Sequence, residues 1–363
     1  MKAFDQSPYA EPVKNEIGIV LAGGGTKGAY QIGVWQALAE SGIMDHITGF
    51  SGSSIGAFNS ALMVNGDLDL AKYIWEEASF FDFVNLNDDL ILGKIKDGMN
   101  MSAAENIAAN IKLKSAGKSA LLKVAKTSLS TAGQGIDKAG STIEKLLDPK
   151  QWGKRESASV SPNALKYNRN KMRNFSIWFM RNLFGSGYAT PDRLKGILEK
   201  NFTYNEDRKN SLDVFSTVCK WYVKDDVSGN AEYISWKGLG REKIIELIIT
   251  SASLPILYPE KYPGSDFVYV DGGYADNEPI KPLYDAGYRK IFIVYLDKYK
   301  GSKLKKIIKE QESAFPGCEF LRLIPGKNFD DSFTGSCIIT KKMTDSRMSA
   351  GYSDCKKIIS ENL

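Results

Sequence analysis

Two hydrophobic periodicities alternate along this chain. Residues 16–22 (EIGIVLA) form a short apolar, partly β-branched run stopped by glycines, which predicts a buried strand. Over 28–39 the spacing of Ala29, Ile32, Gly33, Gln36 and Ala37, widened by Trp35 and Leu38, predicts a helix. Residues 47–50 read as a second strand and 55–64 as a second helix. Strands alternating with helices at this spacing imply a parallel sheet covered on both faces. The pattern resumes late, with strands at 214–223, 232–236, 267–270 and 290–296 and helices at 242–251 and 348–359. The expected fold class is α/β, a three-layer sandwich with a mainly parallel sheet.

Between these segments the character changes. Residues 80–190 are rich in Ala, Lys and Ser and lack strand signals. Leu129, Ala132, Ile136, Ala139, Ile143 and Leu146 step by three and four, as on an amphipathic helix. Residues 173–184 (RNFSIWFMRNLF) are strongly apolar between basic flanks. The chain is therefore expected to be one domain over 1–363, with its core at 16–80 and 188–300. A helical basic insertion fills 81–187, and 301–363 is a C-terminal helical and strand extension packing on the core.

Charge sharpens this division. The net charge is +5. Residues 94–190 hold 17 Lys/Arg against 6 Asp/Glu, a net of +11, and the rest hold 31 against 37, a net of −6. Such a segment either packs on its own sheet or acts as a lid or membrane-facing patch, since Lys and Arg with Trp and Phe suit anionic interfaces. No nucleic-acid motif accompanies the charge, so no nucleic-acid partner is expected. The polar start, with Pro8, Glu11 and Pro12, argues against a signal peptide, and no stretch reaches the roughly 18 apolar residues of a membrane-spanning helix. The cysteines Cys219, Cys318, Cys337 and Cys355 form no CxxC pair and do not resemble a disulfide framework. The expected setting is the cytoplasm, with peripheral membrane contact.

The candidate chemistry begins at Gly52-Ser53-Ser54-Ile55-Gly56, a G-x-S-x-G with a strand running in and a helix running out. That is the setting of a nucleophile elbow, in which a sharp turn exposes the serine hydroxyl at a helix N-terminus. The bland alternative is a capping serine. Gly23-Gly24-Gly25-Thr26-Lys27-Gly28 also lies between a strand and a helix and satisfies G-x-G-x-x-G. A dinucleotide site needs an acidic residue at the end of the second strand. Asp45 precedes that strand, which ends in Ser51-Gly52-Ser53-Ser54. A Walker A loop fails because Gly28 follows Lys27. The remaining use of three glycines is to point backbone N–H groups at an oxyanion.

The chain has one histidine, His46, eight positions before Ser54. If 47–53 is a strand, His46 lies about 20 Å or more away at its opposite end, so no Ser–His–Asp triad forms within one chain. A carboxylate is the expected base, and Asp271 in Val268-Tyr269-Val270-Asp271-Gly272-Gly273 is best placed, directly after a strand. An Asp–Gly β-turn is its structural alternative, and Lys27 is the candidate for a Ser–Lys variant.

Together the three pieces resemble the patatin-like phospholipase family, defined by a glycine-rich loop, a G-x-S-x-G elbow and a later D-G-G in that order. Residues 251–257 (SASLPIL) and 271–280 (DGGYADNEPI) resemble the segments before and around the family's catalytic aspartate. The resemblance covers about 16–80 and 188–300. It implies Ser54 as nucleophile, Asp271 as base, and Gly23, Gly24, Gly25 and Thr26 as the oxyanion loop. Lys27, Gly28, Gly52, Gly56, Gly272 and Gly273 support these. It also implies hydrolysis of glycerophospholipids, with lysophospholipids or neutral glycerides as further substrates, and neither metal nor organic cofactor. The chain departs from many members at Ala22, where they have Asp, and at Lys27, where Arg is common. A catalytically silent lipid-binding module is the rival reading.

Overall fold

The computed structural model describes residues 13–77, 85–86, 189–190, 192–203, 205–222, 229–253, 260–261, 267–326, 329 and 340–362. Apart from Leu86 they belong to one compact unit made of residues 1–85 and 180–363. The polar residues 1–12, the stepped residues 129–146, the cluster at 173–184 and residues 254–257 lie outside the described residues.

The first half-unit runs β1 (Lys14–Leu21), α1 (Ala29–Glu40), β2 (Ile47–Ser53), α2 (Ile55–Asn65) and α3 (Leu68–Glu77). After residue 190 come α4 (Asp192–Asn201), α5 (Glu206–Ser211), β3 (Asp213–Tyr222), β4 (Asn230–Ser235) and α6 (Arg241–Ser251). Then follow β5 (Glu260–Lys261), β6 (Phe267–Asp271), α7 (Lys281–Asp285), β7 (Tyr288–Val294), α8 (Gly301–Ala314), β8 (Glu319–Leu323) and α9 (Lys341–Asn362). Among the described residues these strands make one eight-stranded sheet in the order β8-β7-β1-β2-β3-β6-β5, with β4 also on β3. The four pairings from β8 to β3 are parallel; β4, β5 and β6 pair antiparallel.

The register around β3 positions the rest. β4 pairs with Phe215–Lys220 and so occupies one edge of β3. β2 pairs over Asp213–Thr217 and β6 over Val218–Tyr222. Both overlap β4 and a strand has two edges, so β2 and β6 share the other one. They approach from opposite directions, and their ends meet: Ser53 opposite Thr217, Asp271 opposite Val218.

Alternate residues of the central strands feed two cores, as a sheet covered on both faces requires. Ile19, Leu21, Phe292 and Val294 join the larger core with residues of α1, α2, α3, α6 and α9. Val20, Ile291 and Ile293 join Leu283 of α7 and Phe315 just after α8 in the smaller one. α2 is buried at every position from Ile55 to Val64, as a helix apolar on all sides should be. Among the described residues no helix is long and apolar enough to cross a membrane. The sequence pattern singled out none of α3, α4, α5, α7 and β5, and anticipated α8 and β8 only as part of a helical and strand extension. α8 is mostly exposed, with no buried residue, and β8 is an edge strand whose register Glu319-Phe320-Leu321-Arg322-Leu323 mixes charges into the apolar run.

α9 crosses α1 at backbone contact. A Cβ at Gly33 would stand 1.8 Å from the Met348 carbonyl oxygen, and one at Gly351 would stand 2.0 Å from that of Tyr30. Gly33→Ala is therefore expected to lower the unfolding free energy by about 3 kcal/mol, because two helix backbones must separate. Gly196 in α4 has nothing within 4 Å of the corresponding position, so Gly196→Ala should be neutral or stabilising by about 0.5–1 kcal/mol. Chemical denaturation of the two variants against the parent measures both, and equal effects would disprove the close crossing.

Candidate active site

Ser54 stands at the turn between β2 and α2 with φ 56° and ψ −124°, the one non-glycine residue with positive φ among the described residues. Such a conformation costs of order 1–3 kcal/mol and persists only when its surroundings hold it. The glycines around it explain how. A Cβ at Gly52 would meet the Gly56 carbonyl at 2.4 Å, and one at Gly56 would meet the Leu21 carbonyl oxygen at 2.0 Å. The strand, the turn and α2 are thus pressed together along their backbones. Ser251, at the end of α6, clips the junction: its Oγ donates to the Thr217 carbonyl at 2.7 Å and accepts the Ser54 N–H at 3.0 Å.

The abutting strand ends bring the predicted pair together. Ser54 Oγ donates to Asp271 Oδ2 at 2.5 Å. Asp271 Oδ1 accepts the Gly273 N–H at 2.8 Å, and the Asp271 N–H is held by the Ser253 carbonyl at 2.7 Å. Gly272 lies against Thr217, where a Cβ would fall 2.2 Å from the carbonyl oxygen. Asp271 is 3% exposed. Burial pushes its carboxyl up to about 6, against the opposing hydrogen bonds from Ser54 and Gly273. Unperturbed, it would be a weak base towards an alcohol; its burial narrows that gap.

The glycine loop is held by its carbonyls. Gln31 Nε2 donates to the Ala22 oxygen at 2.8 Å and Asn277 Nδ2 to the Gly23 oxygen at 3.3 Å. Arg347 Nη1 donates to the Thr26 oxygen at 3.0 Å, and Asn59 Nδ2 to the Gly28 oxygen at 3.0 Å. Asn59 is itself fixed by Gln31 and by the Trp75 indole. Because peptide units are trans and planar, an anchored carbonyl turns the next N–H the opposite way. Among the described residues no hydrogen bond takes up the N–H groups of Gly24 and Gly25. Gly23 sits against Ser54, with a Cβ there 3.0 Å from that of the serine. Lys27 is buried and pairs with Asp297 at 2.7 Å rather than with Ser54. His46 is exposed at the far end of β2.

Past Asp271 the chain is anchored by further carboxyls. Ser53 Oγ donates to the Asp276 carbonyl at 2.9 Å, and the Tyr233 hydroxyl donates to the Asp276 carboxylate at 2.7 Å. Burial pushes the Glu278 carboxyl up to about 7, though it accepts bonds from Asn277 and Tyr299. A cavity of about 460 Å³ lined by Lys14, Asp213, Tyr233 and Lys237 opens at the start of β3 and shares Tyr233 with these contacts.

Sequence reasoning did not single out Gln31, Asn59, Ser251, Asn277 or Arg347. Gln31 and Asn59 interrupt otherwise apolar helix patterns, a legible sign of buried polar duty. Ser251 and Asn277 fall in the segments that carried the family resemblance. Arg347 had no local signal.

The family model described as "Patatin-like phospholipase" matches residues 19–284. Lysophospholipase nte1 of Aspergillus terreus is 56% identical over 46 residues, 13% of this chain and 3% of that protein. VipD from Legionella pneumophila is similar at 16% identity with a TM-score of 0.42, covering 98% of this chain and 67% of that one. Human GIVD cytosolic phospholipase A2 in complex with methyl γ-linolenyl fluorophosphonate gives 10% identity and a TM-score of 0.44, covering 99% and 59%. The chain thus spans a small fraction of the curated relative's length. Matched over residues 19–284, where the elbow, the glycine loop and the D-G-G turn all lie, it belongs to the patatin-like phospholipase family.

Proposed function

We propose that this protein is a lipid acyl hydrolase of phospholipase A or lysophospholipase type, working through a Ser54–Asp271 dyad. The observation that carries this is the 2.5 Å hydrogen bond from a strained, elbow-borne serine hydroxyl to a buried carboxylate. Asp271 takes the Ser54 proton as Oγ bonds to the ester carbonyl carbon, and the carbonyl oxygen becomes an oxyanion facing the Gly24 and Gly25 N–H groups. The tetrahedral centre collapses, the carbon–oxygen bond to the alcohol breaks, and Asp271 returns its proton to the leaving alkoxide. Water then attacks the acyl-enzyme, Asp271 accepting its proton; the bond from the carbonyl carbon to Ser54 Oγ breaks, Asp271 passes the proton to Oγ, and the fatty acid leaves. Thr26 and Lys27 hold the loop's shape, Lys27 through Asp297. No step calls for a metal or organic cofactor.

Ser54→Ala and Asp271→Asn should each reduce hydrolysis by about 1000-fold or more, read by mass spectrometry of fatty acid release from phospholipid and lysophospholipid mixtures. A fluorophosphonate probe should label the parent at Ser54; an unlabelled, folded parent would favour a non-catalytic lipid-binding module and sink this reading.

The burial of Asp271 predicts two opposed pH effects. The base must be ionised, so kcat/KM should fall as pH drops through about 6. Its folded-state proton affinity exceeds that of the unfolded chain, so its contribution to stability is greatest below the unfolded value and is lost as pH rises through about 6. Asp271→Asn, inactive, should therefore melt higher than the parent at pH 8, with the difference shrinking towards pH 4. Thermal denaturation at the two pH values decides it; a variant that melts lower at pH 8 contradicts the assignment of a buried, ionised Asp271.

The net of +11 over residues 94–190 supports docking of that segment on anionic bilayers. Sedimentation with vesicles of phosphatidylcholine alone or with added phosphatidylserine should show binding that rises with the anionic lipid and falls with salt. Binding indifferent to both rejects the docking.

A further inference from the structure

We infer that Arg347, on α9, is a positioning residue for the oxyanion loop and polarises one of its donors; this rests on the hydrolase reading above. Arg347 lies outside the family-matched residues 19–284 and is 4% exposed. Its Nη1 donates to both the Thr26 carbonyl oxygen, at 3.0 Å, and Thr26 Oγ1, at 3.1 Å. The next N–H along the chain, that of Lys27, donates to the Gly24 carbonyl at 3.3 Å. The next N–H after that carbonyl is Gly25's, which makes no hydrogen bond among the described residues.

These contacts form one directed series. The guanidinium pulls on the Thr26 carbonyl, and the Thr26–Lys27 peptide carries the polarisation to its own N–H. That N–H pulls on the Gly24 carbonyl, and the Gly24–Gly25 peptide ends at the open Gly25 N–H. Hydrogen bonds aligned in this way strengthen one another, and a cation at the head makes the last donor stronger. Geometry and charge act together: the trans peptides turn the Gly25 N–H opposite to the anchored carbonyl. Two features hold the arginine itself. Met348, its neighbour, is the point of backbone contact between α9 and Gly33. Tyr30 donates to Asp354 at 3.0 Å and ties the following turns of α9 to α1.

The test uses Arg347→Met, which keeps length and loses charge and donors, and Arg347→Lys, which keeps charge with a single point donor. Both are assayed on a short, water-soluble p-nitrophenyl ester at temperatures well below each variant's own melting point. Arg347→Met should lower kcat about 10- to 100-fold with KM within about threefold, because a donor needed only in the transition state is weakened. Arg347→Lys should fall between it and the parent. Labelling by a fluorophosphonate, whose phosphoryl oxygen takes the oxyanion's place, should slow in the same order. A folded Arg347→Met that labels and turns over within threefold of the parent overturns the proposal, as does a change confined to KM. Failure of both variants to fold assigns Arg347 to packing alone and overturns it too. If instead the parent neither hydrolyses esters nor labels at Ser54, it is the hydrolase reading that falls.

Discussion

Between Thr217 and Val218 the edge of β3 changes partner, from β2 running alongside it to β6 running against it. Two strand ends that would otherwise point past each other are brought nose to nose, and the residues at their tips are Ser54 and Asp271. β4 enforces the arrangement by taking the opposite edge. The dyad is thus a product of register: sliding β6 by one residue would turn the carboxyl to the other face of the sheet. Ser251 adds a side-chain clip at the same junction, joining the Thr217 carbonyl to the Ser54 amide. The precision of a 2.5 Å contact between residues 217 positions apart is thereby delegated to backbone pairing.

The tension in the site is electrostatic and conformational at once. Ser54 is held at a positive φ by glycines that admit backbone where side chains would collide, and Asp271 is held in a place where its charge is poorly solvated. Neither condition favours folding, and both suit the proposed reaction: a half-buried hydroxyl on a rigid turn, and a carboxylate that binds a proton more readily than it would in water. The large core formed by α1, α2, α3, α6 and α9 offsets them. Such stability–function opposition is general at sites whose groups are kept from relaxing.

Much of this was legible before any coordinates. The β1–α1–β2–α2 alternation, the elbow at Ser54 and the acid at Asp271 were all readable, because strand and helix periods and turn glycines are local signals. The exclusion of a histidine triad needed only one residue count and the length of β2. What escaped was non-local. The antiparallel end of the sheet is a matter of strand direction and pairing, which hydrophobic period does not encode. The raised proton affinity of Asp271 follows from burial under elements hundreds of residues apart. The clasp on the glycine loop draws on Gln31, Asn59, Asn277 and Arg347, four polar residues whose purpose appears only when their carbonyl partners do. Residues 94–188, the bulk of the basic segment conspicuous in the sequence, stand outside the described residues.

The grip of α9 on the glycine loop has a temporal side. Arg347 lies 321 residues after Thr26, its partner, so a ribosome completes the elbow, the loop and the D-G-G turn long before it supplies the arginine. Until α9 emerges and docks along Gly33, the nascent chain holds Ser54 and Asp271 but not the arginine that grips the Thr26 carbonyl. On the proposed hydrolase reading, that order of synthesis builds a delay into the completion of the site.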